Sequence, residues 1–191
     1  MQQEIRILVV DDEPITRMDL RELLERAGFT VVGEAGDGFG AIEQCRKYRP
    51  DLVLMDIKMP LLDGLSAARA IQEDQLAGTT ILLTAYDDRK YVEGARDSGV
   101  SGYMVKPVDE KSLAPSIEMA VARSKERQKL RADYDAVSER LENRRILEQA
   151  KGIIMEEQKL TEQAAYDYIR GISKEKNISM KRVAEIILMK R

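Results

Sequence analysis

Five polar side chains sit at the ends of short apolar runs in this sequence. Asp11 and Asp12 follow RILVV, Asp56 closes LVLMD, Thr84 closes TILLT and Lys106 follows GYMV. Runs of this length and composition fit buried strands. If the strands are parallel, all five side chains reach the carboxyl-end edge, where open sheets of this class place their sites. Carboxylates crowded at one edge repel, and a hard divalent cation such as Mg2+, held by oxygen ligands, relieves the repulsion. A hydroxyl and an ammonium beside them complete a set suited to a phosphoryl group. Taken singly, Asp12 could be a helix cap and Thr84 a strand-end hydroxyl; their joint placement points to a site.

The elements needed to build that edge are legible. RILVV, TVVGEA, LVLMD, TILLT and GYMV each precede a stretch with helical spacing. This alternation predicts an α/β domain with five parallel strands and five helices on its two faces. After Pro107 the pattern changes. From Lys111 to about Gln158 there is no glycine before Gly152 and only one proline, Pro115, assigned to a first turn, so a helix or helix pair of unusual length is expected. Leu130, Tyr134, Val137 and Leu141 form one stripe on it, interrupted by Arg127 and Arg144. The stripe fits either dimerisation or a connector helix packed on its own domain. Three tail helices follow, through RRILEQAKGIIMEEQK, TEQAAYDYIRGISKE capped by Thr161, and SMKRVAEIILMKR capped by Ser179. Their expected core is Leu147, Ala150, Ile154, Ala165, Tyr168, Ile169, Ile172, Val183, Ile186 and Ile187.

Composition narrows the chemistry. The 191 residues include no histidine, which removes His-based general bases, Ser-His and Cys-His pairs and histidine metal ligands. The one cysteine, Cys45, cannot form an internal disulfide and is expected to be a buried structural thiol in a reducing cytoplasmic setting. No apolar run approaches the length of a membrane span, and no membrane partner is expected. Charge is divided: residues 143–191 hold eleven Lys+Arg against seven Asp+Glu, net +4, and residues 1–142 hold twenty against twenty-seven, net −7. An acidic front and a basic tail suggest different partners.

VVDDE, LVLMDIKMPLLDG, LLTAY and YMVKP together resemble the receiver domain of two-component response regulators, over about Ile5 to Val121. The resemblance implies a flavodoxin-like fold in residues 1–121 and a phosphoacceptor, not an enzyme, beyond slow self-dephosphorylation. It implies that Asp56 accepts phosphate from a partner histidine kinase, and that Asp11, Asp12, Asp56 and the carbonyl of Lys58 hold Mg2+. Thr84 and Lys106 would grip the phosphoryl oxygens, with a cis bond before Pro107. Tyr103 falls at the aromatic switch position, and Lys58 and Tyr86 at positions that tune the lifetime of the acyl phosphate.

For the tail, a DNA-binding helix-turn-helix and a protein-docking module are both open. Against the first, VAEIILM offers almost nothing to base edges. RRILEQAKGIIM, AAYDYIR and VAEIIL instead resemble the ANTAR family of RNA-binding antiterminators, with Ser173 where a small apolar residue would be expected. The whole arrangement, with DEPITRMDL and DEKSLAPSIEMA, looks most like the ethanolamine-utilisation regulators of that family. The likeness implies a helical linker over 122–142 with coiled-coil potential and an all-α three-helix output domain over 143–191. That domain would bind paired stem-loops in leader transcripts, as a homodimer, to prevent transcription termination. Candidate RNA contacts are Arg144, Arg145, Lys151, Arg170, Lys181 and Arg182, with Tyr166 stacking on a loop base. Gly152 would admit close approach of another helix or of a nucleic-acid backbone.

Overall fold

The computed structural model describes residues 4–85 and 100–189. Its elements run β1 (Arg6–Val10), α1 (Pro14–Arg26), β2 (Thr30–Ala35), α2 (Gly38–Tyr48), β3 (Leu52–Asp56), α3 (Gly64–Glu73), β4 (Thr79–Thr84), β5 (Gly102–Val105), α4 (Glu110–Gln158), α5 (Glu162–Lys176) and α6 (Met180–Met189). The helix expected between TILLT and GYMV falls on residues 86–99, outside the described residues, as does Tyr86. The chain forms two compact units, Met1–Gln128 and Lys129–Arg191.

In the first unit five parallel strands lie in the order β2-β1-β3-β4-β5. The central strands β1, β3 and β4 are covered on both sides, and the pleat sends alternate residues to two separate cores. Ile7 and Val9 pack with Leu20 and Leu24 of α1 and Leu113 and Ile117 of α4. Leu8 and Val10 pack with Ala41 and Cys45 of α2 and Ala67 and Ile71 of α3. Burying each aliphatic side chain contributes about 1.5–3 kcal/mol, so the two cores, not helix propensity, hold the sheet edge in place. Cys45 is fully buried, and burial pushes its thiol up to about 12 despite the opposing charge of Arg49. It is a packing residue with no thiolate at neutral pH.

Local signals set the helix starts. Pro14 opens α1, where its missing N–H is not needed. Asp37 caps α2 by accepting from the Gly40 N–H at 2.9 Å, and Asp63 caps α3 by accepting from Ser66 N–H at 2.9 Å. The long segment is one helix of 49 residues, with Pro115 inside it. Pro115 lies in the second turn, beyond the first turn assigned from sequence, so its missing N–H costs one intrahelical bond.

In the second unit the end of α4 packs against α5 and α6 around Ala150, Ile154, Ala165, Ile169, Val183 and Ala184. The Thr161 hydroxyl accepts from the Ala164 N–H at 3.3 Å, and that of Ser179 from the Arg182 N–H at 3.2 Å, giving the two expected caps. Ser173 turns its hydroxyl to the Ile178 carbonyl at 2.6 Å, so a polar residue suits the helix end. Tyr168 and Ile186 were expected in the core but are 43% and 38% exposed. They line a groove with Ile153, Ile172 and Ile187.

Candidate functional site

The strand order places β1 between β2 and β3, so the chain reverses its winding direction at the carboxyl ends of β1 and β3, where a crevice opens. Asp11 follows β1 there and Asp56 ends β3. Both are buried, at 0% and 8% exposure. Lys106, just after β5, reaches between them: its Nζ lies 2.6 Å from Asp11 Oδ2 and 2.7 Å from Asp56 Oδ1. The Lys106-Pro107 peptide is cis. Thr84 is buried at the end of β4, and its hydroxyl donates to the Ala85 carbonyl at 3.0 Å. Tyr103 points out of β5, 52% exposed. Asp12 and the Lys58 side chain are exposed beside the crevice.

The electrostatics follow from this burial. Desolvation pushes Asp56 above the usual carboxylate range; Lys106 opposes the shift, and the charges of Asp11 and Asp12 add to it. Burial alone would lower Lys106, but its hydrogen bonds to Asp11 and Asp56 hold it above lysine's ordinary value. Lys106 is therefore a fixed cation, and Asp56 a carboxylate whose charge the fold opposes. Among the described residues no three acidic side chains are gathered as a ready-made metal cage. Of the three expected carboxylates, Asp11 and Asp56 flank Lys106, which occupies the space between them, and Asp12 is exposed beside them, near enough for its charge to act on Asp56. The donor set still fits Mg2+, with hard carboxylate oxygens in a pocket where burial raises Asp56 and the charges of Asp11 and Asp12 add to the shift.

Four further residues, Arg17, Arg21, Glu34 and Gly64, shape the surroundings of the pocket and were not singled out from the sequence. Arg17 of α1 donates from Nη1 to the Asp11 carbonyl at 2.6 Å, while its Nε lies 3.4 Å from Glu34 Oε2 on β2. Arg21 lies 2.6 Å from Glu34 Oε1. Two arginines four apart and one glutamate in an otherwise apolar strand were the available signal. Gly64 opens α3 so close to β3 that a Cβ there would collide with the Asp56 carbonyl oxygen.

In the tail unit Arg144 and Arg170 are exposed. Arg145 is exposed but makes a forked pair with Glu142 at 3.0 and 2.9 Å. Lys181 is half-buried, near enough that, after Arg145, its charge helps hold Glu142 below the usual range. Arg182 pairs with Glu185 at 3.1 Å. Tyr166 is half-buried beside Thr161, Glu162 and Gln163 at a shallow groove. Lys151 departs from its expected role as an open RNA contact. It is 6% exposed, and its ammonium lies 2.9 Å from Glu148 and 2.7 Å from Glu162, pinning the start of α5 to α4. Among the described residues a Cβ at Gly152 would meet nothing within 4 Å, so packing against them does not explain the glycine.

The sequence pattern of the family described as response regulator receiver domain matches residues 7–118, and that of the ANTAR domain matches residues 135–188. The chain is 43% identical over 183 residues to the transcriptional regulatory protein PdtaR of Mycobacterium tuberculosis, covering 96% of this chain and 89% of that one. The chemotaxis protein CheY of Bacillus subtilis is 38% identical over 102 residues, covering 53% of this chain and 85% of CheY. Among solved structures, the signal receiver domain of NarL from Mycobacterium tuberculosis superposes with a TM-score of 0.59 at 28% identity, over 63% of this chain and 98% of that domain. No described helix is long and apolar enough to cross a membrane.

Proposed function

Because this chain belongs to the response regulators, with a receiver domain followed by an ANTAR domain, we propose that it converts phosphorylation of Asp56 into RNA binding that prevents transcription termination. The observation that carries the proposal is the buried Asp11–Lys106–Asp56 bridge at the crevice of the sheet. A cytosolic sensor kinase presents a phosphohistidine; an Asp56 oxygen attacks phosphorus, the P–N bond breaks and the imidazole leaves. Lys106, held protonated by two carboxylates, stays charged as the phosphoryl group arrives and pairs with its oxygens. The Thr84 hydroxyl, which now donates to the Ala85 carbonyl, turns to the phosphoryl, and Tyr103 follows inward from its exposed position. Asp11, Asp12, Asp56 and the Lys58 carbonyl would hold Mg2+, which when bound neutralises phosphoryl charge.

In the tail, exposed Arg144 and Arg170 supply the readiest charges for an RNA backbone, joined by Arg145, Lys181 and Arg182 once they exchange their carboxylate neighbours for phosphates, with Tyr166 stacking on a loop base. Two paired hairpins suit a homodimer. A DNA-reading helix-turn-helix fits less well, because Val183 and Ala184 in the middle of α6 are buried in its own core.

Incubation with acetyl phosphate and Mg2+, followed by intact-protein mass, tests the site. Wild type should gain one phosphoryl group and Asp56→Asn none; incorporation by Asp56→Asn would remove the assignment. A gel shift against a pool of two-hairpin leader RNAs and duplex DNA of equal length tests the tail, with preference for duplex DNA as the contrary result.

A further inference from the structure

Glu34 is the one charged residue of β2, and a register irregularity decides which side it faces. Against β1, Ile7 pairs with Val31 but Leu8 pairs with Gly33, so β2 carries one extra residue at Val32. Val31 packs against the core that holds Leu20 and Leu24 of α1. In a regular strand Glu34, three residues on, would face the opposite side, toward α2. The extra residue reverses the phase, as bulges beside functional sites do when they re-aim a side chain. Gly33 comes to lie against Tyr48 of α2, and Glu34 stands level with Val9 on the α1 side.

There Glu34 meets two arginines one helical turn apart. Its Oε1 lies 2.6 Å from Arg21 Nε and its Oε2 lies 3.4 Å from Arg17 Nε. The Arg17 and Glu34 side chains are 20% and 27% exposed, so water screens this pair only in part. Arg17 then extends Nη1 to the Asp11 carbonyl at 2.6 Å. The next residue of β2 makes a second tie, because the Asp11 N–H donates to the Ala35 carbonyl at 3.1 Å. Both backbone groups of Asp11 are therefore held from the end of β2, one directly and one through the Glu34–Arg17 pair.

We propose that Glu34 and Arg17 are positioning residues for Asp12, acting through the peptide that joins it to Asp11. That peptide is planar, so holding the Asp11 carbonyl fixes the plane from which Asp12 departs. The Asp11 carboxylate has its own ties: Oδ1 accepts from the Glu13 N–H at 3.0 Å and Oδ2 from Lys106 at 2.6 Å. Asp12 is exposed, and the backbone behind it directs its carboxylate. The proposal rests on the reading of Asp11, Asp12 and Asp56 as Mg2+ ligands. It extends their support to the edge strand, two strands away from Asp56.

A field effect is the rival account. Two arginines near the crevice repel a cation and Glu34 offsets them, so loss of Glu34 alone would weaken Mg2+ binding on either account. Charge-conserving variants separate the two. Arg17→Lys keeps the charge but replaces the fork that spans Glu34 and the Asp11 carbonyl with a single ammonium. Glu34→Gln combined with Arg21→Gln removes one charge of each sign.

The test titrates Mg2+ calorimetrically into the full-length, unphosphorylated chain and follows phosphorylation by acetyl phosphate as Mg2+ is raised. Arg17→Lys and the Glu34→Gln/Arg21→Gln double variant should each weaken Mg2+ binding roughly threefold to tenfold. The phosphorylation rate at saturating Mg2+ should stay within about twofold of wild type. In an Asp12→Asn background, which removes the carboxylate being aimed, Arg17→Lys should have no further effect. Wild-type Mg2+ affinity in either charge-conserving variant would overturn the proposal, as would a saturated rate that falls along with affinity, the mark of a damaged fold. Equal losses from Arg17→Lys with Asp12 present or replaced would overturn the route through Asp12. Absence of Mg2+ binding by the wild-type chain would instead overturn the reading beneath the proposal.

Discussion

Asp56 carries a negative charge that its surroundings oppose, and this has a measurable effect on stability. Its folded pKa lies above the unfolded value, chiefly through burial. The stability it contributes is therefore present below the unfolded carboxyl pKa and is lost as pH rises through the folded value. Asparagine has no charge to lose. Asp56→Asn should melt roughly 2–5 °C above wild type at pH 8, with the difference vanishing near pH 3; a gap of equal size at both pH values would show another origin. Arg17 has a different role, holding the carbonyl of Asp11 from behind. Arg17→Ala should weaken Mg2+ binding about tenfold by calorimetric titration while circular dichroism stays unchanged, as for other groups that orient metal ligands from outside. That Asp11, Asp56 and Lys106 meet was legible from the sequence because each lies at the carboxyl end of a strand of one parallel sheet. Their exact pairing was not: that Lys106 would separate the two carboxylates, with Asp12 turned outward, depends on side-chain reach and no spacing encodes it.

At the scale of elements, strands were easy to place and helix faces harder. RILVV and LVLMD coincide with β1 and β3 because burial on both sides leaves a solid apolar run, while GYMV coincides with β5, a partly exposed edge strand. The long α4 was legible from the absence of glycine before Gly152. Lys151 was misplaced because helical phase shows which way a residue points on its own helix, not which carboxylate arrives from the next one. Glu162, eleven residues later and across a turn, captures it. Lys151→Met should lower the melting temperature of the tail unit by a few degrees and leave the salt slope of RNA binding unchanged, since the ammonium is already paired; a smaller slope would return it to the RNA surface. Gly152 points the other way. With open space around its Cβ position, Gly152→Ala should stabilise the helix by about 0.5–1 kcal/mol in thermal melts and weaken RNA binding. Stabilisation with undiminished binding would leave the glycine without a role outside the helix.

For the whole molecule, the central claim is that a phosphoryl group on the first unit changes what the second unit binds. Moving a two-state equilibrium from 1:99 to 99:1 takes about 5.5 kcal/mol of preference for one state, much to ask of one phosphoryl group. A partial shift completed by RNA is the economical arrangement. In the proposed switch, the buried Thr84 hydroxyl leaves the Ala85 carbonyl and the half-exposed Tyr103 turns inward. The direct measurement is light-scattering mass of the full-length chain with a two-hairpin leader RNA, before and after acetyl phosphate and Mg2+, with Asp56→Asn alongside. A rise from monomer to an RNA-bound dimer on phosphorylation, absent in Asp56→Asn, is the predicted result. Equal RNA binding and equal mass in all three samples would contradict the coupling.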